Sequence, residues 1–250
     1  MEIGFTSTTF RQIKNLEKIV DIAKRAGSDC IEWGGDIHVK TIGDAKKAKA
    51  LCEKSGLLIS SYGSYYVVGS NDMEEWTRIC KIASEMGAES IRVWLGKKGS
   101  AKTGAEEYKN LLFDAKRICT QAKEYGLTVS PECHKNTYND NTDAFLNFAE
   151  ELNTDNFKTY FQSRYLDWEY DKDRLERTVS LIENVHISYS ECVRMQFFGK
   201  KDKTYVSKIL RKLLELDYSG RVLLEYTYFG LSSYFEKDIY RLRKQVNGER

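Results

Sequence analysis

The chain has 250 residues, of which 41% are hydrophobic and 30% are charged, and its formal net charge is +2. This balance is that of an ordinary globular protein and excludes a disordered chain. The near-neutral charge provides no general attraction for nucleic acid or anionic lipid, so we expect neither a nucleic-acid partner nor a membrane partner.

Targeting and redox signals point to a cytoplasmic protein. No basic segment with an apolar run stands before the first predicted strand, and no apolar stretch reaches membrane-spanning length, so we expect no signal peptide and no membrane span. The six cysteines lie far apart and form no Cys-x-x-Cys pair. This spacing argues against a disulfide scaffold and against a zinc knuckle.

Along the chain, apolar segments predicted as strands alternate with segments predicted as helices. The predicted strands are 2–6, 29–34, 57–62, 90–96, 127–132, 158–162, 184–189 and 221–226. The predicted helices are 16–26, 44–54, 74–86, 106–125, 142–152, 171–182, 203–216 and 234–246. Glycine stands just before several of these strands, as the left-handed residue that ends a helix, at Gly27, Gly56, Gly87, Gly126 and Gly220.

Strict alternation of strands and helices requires a parallel sheet. Eight such units in 250 residues predict a (β/α)₈ TIM barrel that forms a single domain over residues 1–250. An open doubly wound sheet is the second interpretation. It is disfavoured because no Gly-x-Gly-x-x-Gly follows an early strand.

All three histidines, His38, His134 and His186, fall at or just after a predicted strand end. In a TIM barrel the functional groups come from the C-terminal ends of the strands and the loops after them. The sequence therefore predicts a polar mouth that contains imidazole.

Side-chain alternation indicates which polar groups point into the barrel. On the seventh strand Val185 and Ile187 share the helix-facing side, which leaves His186 inward. The same count points Glu132 and Glu225 inward, so that two glutamates and a histidine converge. Two further pairs share a face, Gln162 with Tyr160 and Arg92 with Trp94.

A ring of carboxylate, amide and imidazole suits a six-coordinate divalent ion such as Mn²⁺, Mg²⁺ or Co²⁺, with Zn²⁺ as a further candidate. An ion there would bridge two sugar oxygens, polarise a carbonyl and stabilise the enediolate that forms when the neighbouring carbon loses a proton. Two carboxylates on opposite sides of the sugar would exchange that proton as base and acid.

Simpler interpretations stay open for several of these groups. Glu132 alone could be salt-bridged with Arg92, and His38 and His134 could be hydrogen-bonded structural histidines. Several aromatic residues could line either a substrate pocket or a subunit contact, namely Tyr65, Tyr66, Phe197 and Phe198. The polar residues after the fourth strand could hold a phosphate or form a solvated loop, namely Lys97, Lys98 and Ser100.

Segments along almost the whole chain resemble the xylose isomerase-like barrels of the sugar phosphate isomerase/epimerase type. The segments are Thr-Ser-Thr-Thr-Phe-Arg (6–11), Ile-Glu-Trp-Gly-Gly-Asp-Ile-His-Val (31–39), Ser-Tyr-Gly-Ser-Tyr-Tyr (61–66), Ile-Arg-Val-Trp-Leu-Gly (91–96), Pro-Glu-Cys-His-Lys-Asn-Thr-Tyr-Asn-Asp-Asn (131–141), Lys-Thr-Tyr-Phe-Gln (158–162), Asn-Val-His (184–186) and Leu-Leu-Glu-Tyr (223–226).

In that superfamily the metal is held by Glu, Asp, His and Glu, and the two glutamates also act as acid and base. The resemblance implies these roles for Glu132, His186 and Glu225, whereas Gln162 stands where the family has aspartate and is expected to coordinate the ion through its amide oxygen. Asp167 lies too far past the strand to replace it. The expected substrate contacts are Trp33, His38, Tyr65, Arg92, Trp94, His134 and Arg194.

The expected function is divalent-metal-dependent isomerisation or epimerisation of a small sugar or sugar phosphate, with Glu132 and Glu225 as the catalytic pair. One alternative is a polyol (inosose-type) dehydratase that uses the same site. Another is a degenerate barrel that binds a sugar or a protein partner without turnover, for which Gln162 is the favouring feature. The sequence leaves a homodimer open. The related endonucleases that cut abasic DNA carry histidine-rich zinc clusters, which three histidines do not provide.

Overall fold

The computed structural model describes residues 1–196 and 204–248, which form a barrel of parallel strands surrounded by helices. The strands are β1 (Glu2–Thr6), β2 (Cys30–Gly34), β3 (Leu58–Val67), β4 (Ser90–Trp94), β5 (Thr128–Pro131), β6 (Thr159–Gln162), β7 (Ile182–Ile187) and β8 (Arg221–Leu224). The helices are α1 (Leu16–Ala26), α2 (Ile42–Ser55), α3 (Met73–Met86), α4 (Ala105–Glu124), α5 (Thr142–Leu152), α6 (Trp168–Thr178), α7 (Tyr189–Gln196), α8 (Tyr205–Glu215) and α9 (Ser232–Val246).

The sheet follows the order β5-β4-β3-β2-β1-β8-β7-β6, and all of its pairings are parallel. Between β5 and β6 the barrel is joined by two isolated parallel bridges, Val129 with Phe157 and Glu132 with Tyr160. The predicted TIM barrel is therefore confirmed. The carboxyl ends of all eight strands face the same mouth, which is where the polar residues of the sequence fall.

Local sequence signals set several of the helix boundaries. Asn15 caps α1 by accepting a hydrogen bond from the backbone of Lys18, and Thr41 forms a capping box with Asp44 at the start of α2. The glycines predicted to end helices adopt the left-handed conformation at Gly27, Gly56, Gly87 and Gly126. Gly220 is different, because its φ is not positive and it follows the turn after α8.

Several boundaries differ from the sequence prediction. Strand β3 continues to Val67, five residues beyond its predicted end, because irregular pairing with β4 keeps the segment on the sheet. Helix α7 directly after β7 was not predicted, and the predicted helix 171–182 starts earlier and gives way to a 3₁₀ turn before β7 begins at Ile182. Phe197, Phe198 and the predicted helix start at Lys203 lie outside the described residues.

The main apolar core lies between the sheet and the helices, where Val185 and Ile187 are fully buried as the alternation predicts. Inside the barrel a separate small apolar cluster, Cys30, Tyr160 and Leu223, lies on the strand faces that also carry the site residues. All six cysteines lie within the described residues, where they are buried and form no disulfide bond. No helix of the described residues has the length and apolar character that a membrane span needs.

Candidate active site

A pocket of about 570 Å³ opens at the C-terminal mouth of the barrel. Its floor contains Arg92, Glu132, His186 and Glu225, and its walls come from the loops after the strands. A larger and shallower depression of about 830 Å³ lies at the opposite end of the barrel. There Arg221 is already paired with Glu2 and Glu89, and TIM barrels carry their chemistry at the other end, so we assign the site to the mouth.

The floor of the pocket brings together three of the residues expected to hold a metal. One ligand atom from each of Glu132, His186 and Glu225 lies within 4.8 Å of the others. The Nδ1 atom of His186 is 3.7 Å from Glu225 Oε2 and 3.9 Å from Glu132 Oε1. Glu132 and Glu225 directly follow β5 and β8, and their backbone N–H groups donate to the carbonyls of Val93 and Ile187 at 3.0 and 2.8 Å. The neighbouring strands therefore fix both carboxylates.

Gln162, at the end of β6, reaches the same floor. Its Nε2 donates a hydrogen bond of 2.7 Å to Glu225 Oε2, while its Oε1 is buried without a partner. Both ring nitrogens of His186 are also buried without a hydrogen bond. Unpaired buried acceptors are costly unless another group satisfies them, so this donor set fits a hard divalent cation.

Arg92 lies between two carboxylates. Its Nη1 donates to Glu132 Oε2, and its Nε donates to Glu32 Oε1 at 3.1 Å. The guanidinium also stacks over the ring of Tyr65 at 5.4 Å. The open interpretation that Glu132 pairs with Arg92 is thus confirmed as a contact. This contact leaves Oε1 of Glu132 on the side of His186.

Sequence reasoning missed Glu32. This residue is fully buried on β2, where its Oε2 accepts a hydrogen bond of 3.0 Å from Ser61 and lies 3.5 Å from His186 Nε2. Ile31 and Trp33 share the helix-facing side of β2. Because successive side chains of a strand point to opposite faces, Glu32 between them points into the barrel.

Burial and mutual attraction compete across the floor. Burial and the nearby Glu132 raise the pKa of Glu225 to about 7, against the lowering effect of His186 and Arg92. Burial also acts to raise the pKa of Glu32, but the charges of Arg92 and His186 prevail and hold it below its usual range. For His186 burial lowers the pKa, and the surrounding carboxylates of Glu32 and Glu225 overcome it and raise the pKa.

Most of the expected substrate contacts line the pocket, namely Tyr65, Arg92, Trp94, His134 and Arg194. The rings of Trp94 and His134 lie 4.7 Å apart and form one wall. Arg194 carries an ion pair with Glu191, and its Nε lies 3.0 Å from Glu191 Oε2.

The structure places Trp33 and His38 away from the pocket, so the expected substrate contacts of these two residues are corrected. Trp33 is fully buried, since it shares the helix-facing side of β2. His38 joins neighbouring segments: its Nδ1 lies 2.9 Å from Ser7 Oγ, and its Nε2 lies 2.9 Å from the carbonyl of Ile13. The structural interpretation of His38 is therefore the right one.

Contacts place several other residues considered from the sequence. Ser100 binds Asp140 and Lys98 binds Glu107, and this loop lies outside the lining of the pocket. Asp167 caps α6 by accepting a hydrogen bond from the backbone of Tyr170, which agrees with its exclusion as a ligand.

The pocket is lined by further residues that are not among the expected substrate contacts, namely Lys135, Ser163, Arg164, Tyr165, Ser188, Glu191 and Tyr226. Three tyrosines on its wall have a left-handed backbone, with φ of 60° at Tyr65, 57° at Tyr165 and 62° at Tyr226. This conformation is unfavourable for aromatic residues and is concentrated at functional sites in proteins.

Comparison with known proteins gives a consistent picture. Residues 20–245 match the family model described as xylose isomerase-like TIM barrel. No curated protein matches the sequence significantly. Among solved structures, the probable 3-DHS dehydratase AsbF of Bacillus anthracis superposes with a TM-score of 0.80 at 20% identity, over 97% of this chain and 99% of that chain.

Two sugar epimerases are also similar in structure. The 3-keto-D-glucoside 4-epimerase YcjR of E. coli has a TM-score of 0.78 at 17% identity, over 98% of this chain and 99% of that chain. The D-allulose 3-epimerase of Methylomonas sp., in complex with D-allulose, has a TM-score of 0.74 at 16% identity, over 100% of this chain and 97% of that chain. At these identities the likeness establishes the fold alone.

Proposed function

Because the chain belongs to the xylose isomerase-like TIM barrel family, we propose that it is a divalent-metal-dependent isomerase or epimerase of a small sugar or sugar phosphate. The observation that carries the proposal is the convergence of donor atoms from Glu132, His186 and Glu225 on the floor of the pocket. A pocket of about 570 Å³ has a volume that suits a small ligand.

The metal would be held by Glu132, His186 and Glu225, with the unpaired Oε1 of Gln162 as a fourth donor. Oxygen donors with one imidazole suit Mn²⁺, Mg²⁺ or Co²⁺. Such an ion supplies Lewis-acid polarisation of a substrate carbonyl.

The chain itself supplies the proton transfers. One glutamate of the pair Glu132 and Glu225 removes the proton from the carbon beside the carbonyl, and the electron pair moves onto the carbonyl oxygen to give an enediolate. The other glutamate returns a proton, either to the opposite face of the same carbon or to the former carbonyl carbon. In the second case the hydroxyl proton of the first carbon also passes to the former carbonyl oxygen. The first outcome is epimerisation and the second is isomerisation. Arg92, which lines the floor beside Glu132, adds positive charge where negative charge develops.

The charge of the rim favours an anionic substrate over a neutral one. Lys135 and Arg164 line the pocket, and neither has a carboxylate partner among the residues that the structure describes. A sugar phosphate would provide that partner. We expect the Lys135→Gln, Arg164→Gln double variant to lower kcat/KM for a sugar phosphate by about 10-fold or more, because charge-assisted hydrogen bonds contribute about 1.5–3 kcal/mol each.

The matched control for this substrate test is the Lys97→Gln, Lys98→Gln double variant, which removes two lysines outside the pocket lining. Its kcat/KM should equal that of the wild type. If both double variants lose activity equally, general charge and not the pocket rim attracts the substrate.

Two alternatives each have one observation in their favour. The structural likeness to AsbF, named as a probable 3-DHS dehydratase, supports dehydration on the same site. The degenerate barrel is supported by the contacts of Gln162 and Arg92, which occupy one oxygen of Glu225 and one of Glu132. The two ligand carboxylates are thus partly satisfied within the chain.

The deciding experiment measures metal content and Mn²⁺-dependent thermal stabilisation of the wild type beside the Glu132→Gln, Glu225→Gln double variant. A bound ion stabilises the fold by about 2.7 kcal/mol at a hundredfold excess over Kd, so a real site is visible. The control is Glu74→Gln, Glu150→Gln, which neutralises two exposed carboxylates. Loss of stabilisation only in the site variant supports the proposal.

A panel of sugars and sugar phosphates then separates the activities. Exchange of a carbon-bound proton with solvent without loss of water indicates isomerisation or epimerisation. Loss of water from the substrate identifies the dehydratase. Sugar binding that is indifferent to a chelator, with no turnover, would establish the degenerate barrel.

A further inference from the structure

Glu32 contacts the floor of the pocket from below without lining the pocket itself. Its Oε1 receives the hydrogen bond from Arg92 Nε, and its Oε2 receives one from Ser61 and lies 3.5 Å from His186 Nε2. The residue is fully buried, so a substrate that enters the pocket does not touch it. Any effect of Glu32 on the chemistry must therefore act through the groups that it contacts.

The two ring nitrogens of His186 face different surroundings. Nε2 faces Glu32, whereas Nδ1 lies 3.7 Å from Glu225 Oε2 and 3.9 Å from Glu132 Oε1. The ring is held edge-on against Tyr160 with the centroids 4.9 Å apart, and His186 is almost completely buried, which restricts its rotation. Each nitrogen is thus tied to one side of the site.

We propose that Glu32 is a positioning residue that holds His186 in the tautomer with the hydrogen on Nε2. A neutral imidazole has one N–H, and a carboxylate opposite Nε2 favours the hydrogen at that atom. The lone pair of Nδ1 then points toward the oxygens of Glu132 and Glu225. Three acceptors that face one another repel unless a cation lies between them, so Glu32 makes Nδ1 the ligating nitrogen.

The consequence for metal binding rests on the proposed function. The closer approach of a carboxylate to Nε2, 3.5 Å against 3.7 and 3.9 Å at Nδ1, is a property of the chain itself. A carboxylate behind a ligating histidine orients the ring and raises its basicity. Glu32 also fixes Arg92, so one buried carboxylate arranges both nitrogen-containing groups of the floor. Because Glu32 lies outside the pocket lining, this arrangement leaves Glu132 and Glu225 as the carboxylates that line the pocket.

Nitrogen-15 NMR of histidine-labelled protein at alkaline pH tests the tautomer directly. The chain has three histidines, so the spectrum is simple. The His186→Gln variant, which keeps Glu32, identifies the signals of His186 by their disappearance. The wild type should show His186 with its hydrogen on Nε2. A hydrogen on Nδ1 in the wild type would overturn the proposal without the need for any further variant.

The Glu32→Gln variant then tests the cause. A glutamine amide can donate to Nε2, so we expect His186 to switch to the tautomer with the hydrogen on Nδ1 and the Kd for Mn²⁺ to rise about 10- to 100-fold. The matched control is Asp114→Asn, the same change at another fully buried carboxylate, which binds Tyr66 and the Gly69 backbone. It should lose stability without altering the tautomer or the Kd for Mn²⁺.

The outcomes separate this proposal from the proposed function. If the wild type binds no Mn²⁺, the metal site fails, and the histidine spectrum still decides the role of Glu32. If folded Glu32→Gln keeps the Nε2 tautomer, Glu32 does not position the ring, whatever the protein does with metal.

Discussion

Gly63 on β3 provides the space in which Arg92 lies, and its replacement by alanine is a sharp test of the pocket floor. A Cβ atom at this position would lie 2.9 Å from Arg92 Nη2 and 3.4 Å from Glu32 Oε1. Ordinary contacts between heavy atoms are about 3.5–4.0 Å, so the guanidinium must retreat by roughly half an ångström. The φ of Gly63 is not positive, so the backbone itself accepts alanine.

The retreat of Arg92 stretches its hydrogen bonds to Glu32 and Glu132, both of which are buried. Overpacking of a filled interior costs about 1–3 kcal/mol. In a protein of this size each kcal/mol lowers Tm by about 2–4 °C. We therefore expect Gly63→Ala to lower Tm by about 2–12 °C. It should also lower kcat more than it raises KM, because the displaced charge acts in the proposed reaction.

Urea and thermal unfolding, followed by turnover measurements, check this expectation. The control is Gly104→Ala, where no atom lies within 4 Å of the added Cβ and φ is not positive. Because lysine lacks the guanidinium, Arg92→Lys should reduce the cost of Gly63→Ala, with a coupling of about 0.5–3 kcal/mol. The reasoning is refuted if Gly63→Ala is as stable and active as Gly104→Ala.

Three further predictions follow from charge and backbone strain. Burial raises the pKa of Asp171 from 3.8 to about 6. At a pH between these two values the folded state keeps the carboxyl proton, whereas the unfolded state has lost it. The free energy of unfolding therefore falls by on the order of 2–3 kcal/mol as the pH rises through this interval. Asp171→Asn should flatten the curve of unfolding free energy against pH in urea titrations, and an unchanged slope would contradict this origin. Tyr226 has a φ of 62°, a conformation that asparagine tolerates. In thermal unfolding, Tyr226→Asn should therefore leave the stability unchanged or raise it by up to about 1 kcal/mol, while KM rises. A clear loss of stability would show that Tyr226 is structural. Gln162→Asp replaces the hydrogen bond to Glu225 by like-charge repulsion, so Tm should fall in the absence of metal. On addition of Mn²⁺, Tm should then rise more in the variant than in the wild type. An equal rise of Tm in both proteins, measured by calorimetry, would count against a ligand role.

Alternation along strands was enough to predict much of the site. His186, Glu132 and Glu225 converge as the count of inward positions requires, because the period of two is a local property of every strand. The same rule explains the error on β2, where Trp33 was expected to contact the substrate although it lies on the helix-facing side of the strand. Glu32, one position earlier, is the inward residue.

Other features depend on contacts that a single sequence does not display. The extension of β3 to Val67 follows from its irregular pairing with β4, and α7 forms in a short segment directly after β7. The histidine at position 38 stands after a strand end, as a mouth residue would, yet the loop turns its ring toward Ser7 and Ile13. Position relative to a strand predicts which end of the barrel a residue occupies, and the loop path decides what it touches.

The charges of the floor explain how glutamine can stand in a position where aspartate is expected. Glu32 and Arg92 form a buried pair whose charges cancel, which leaves the carboxylates of Glu132 and Glu225 facing the proposed metal site. One divalent cation balances these two negative charges. An aspartate in place of Gln162 would leave an additional buried negative charge, and uncompensated buried charge is costly. In the proposed metal site, the neutral amide of Gln162 would therefore complete a donor set whose total charge matches one divalent ion.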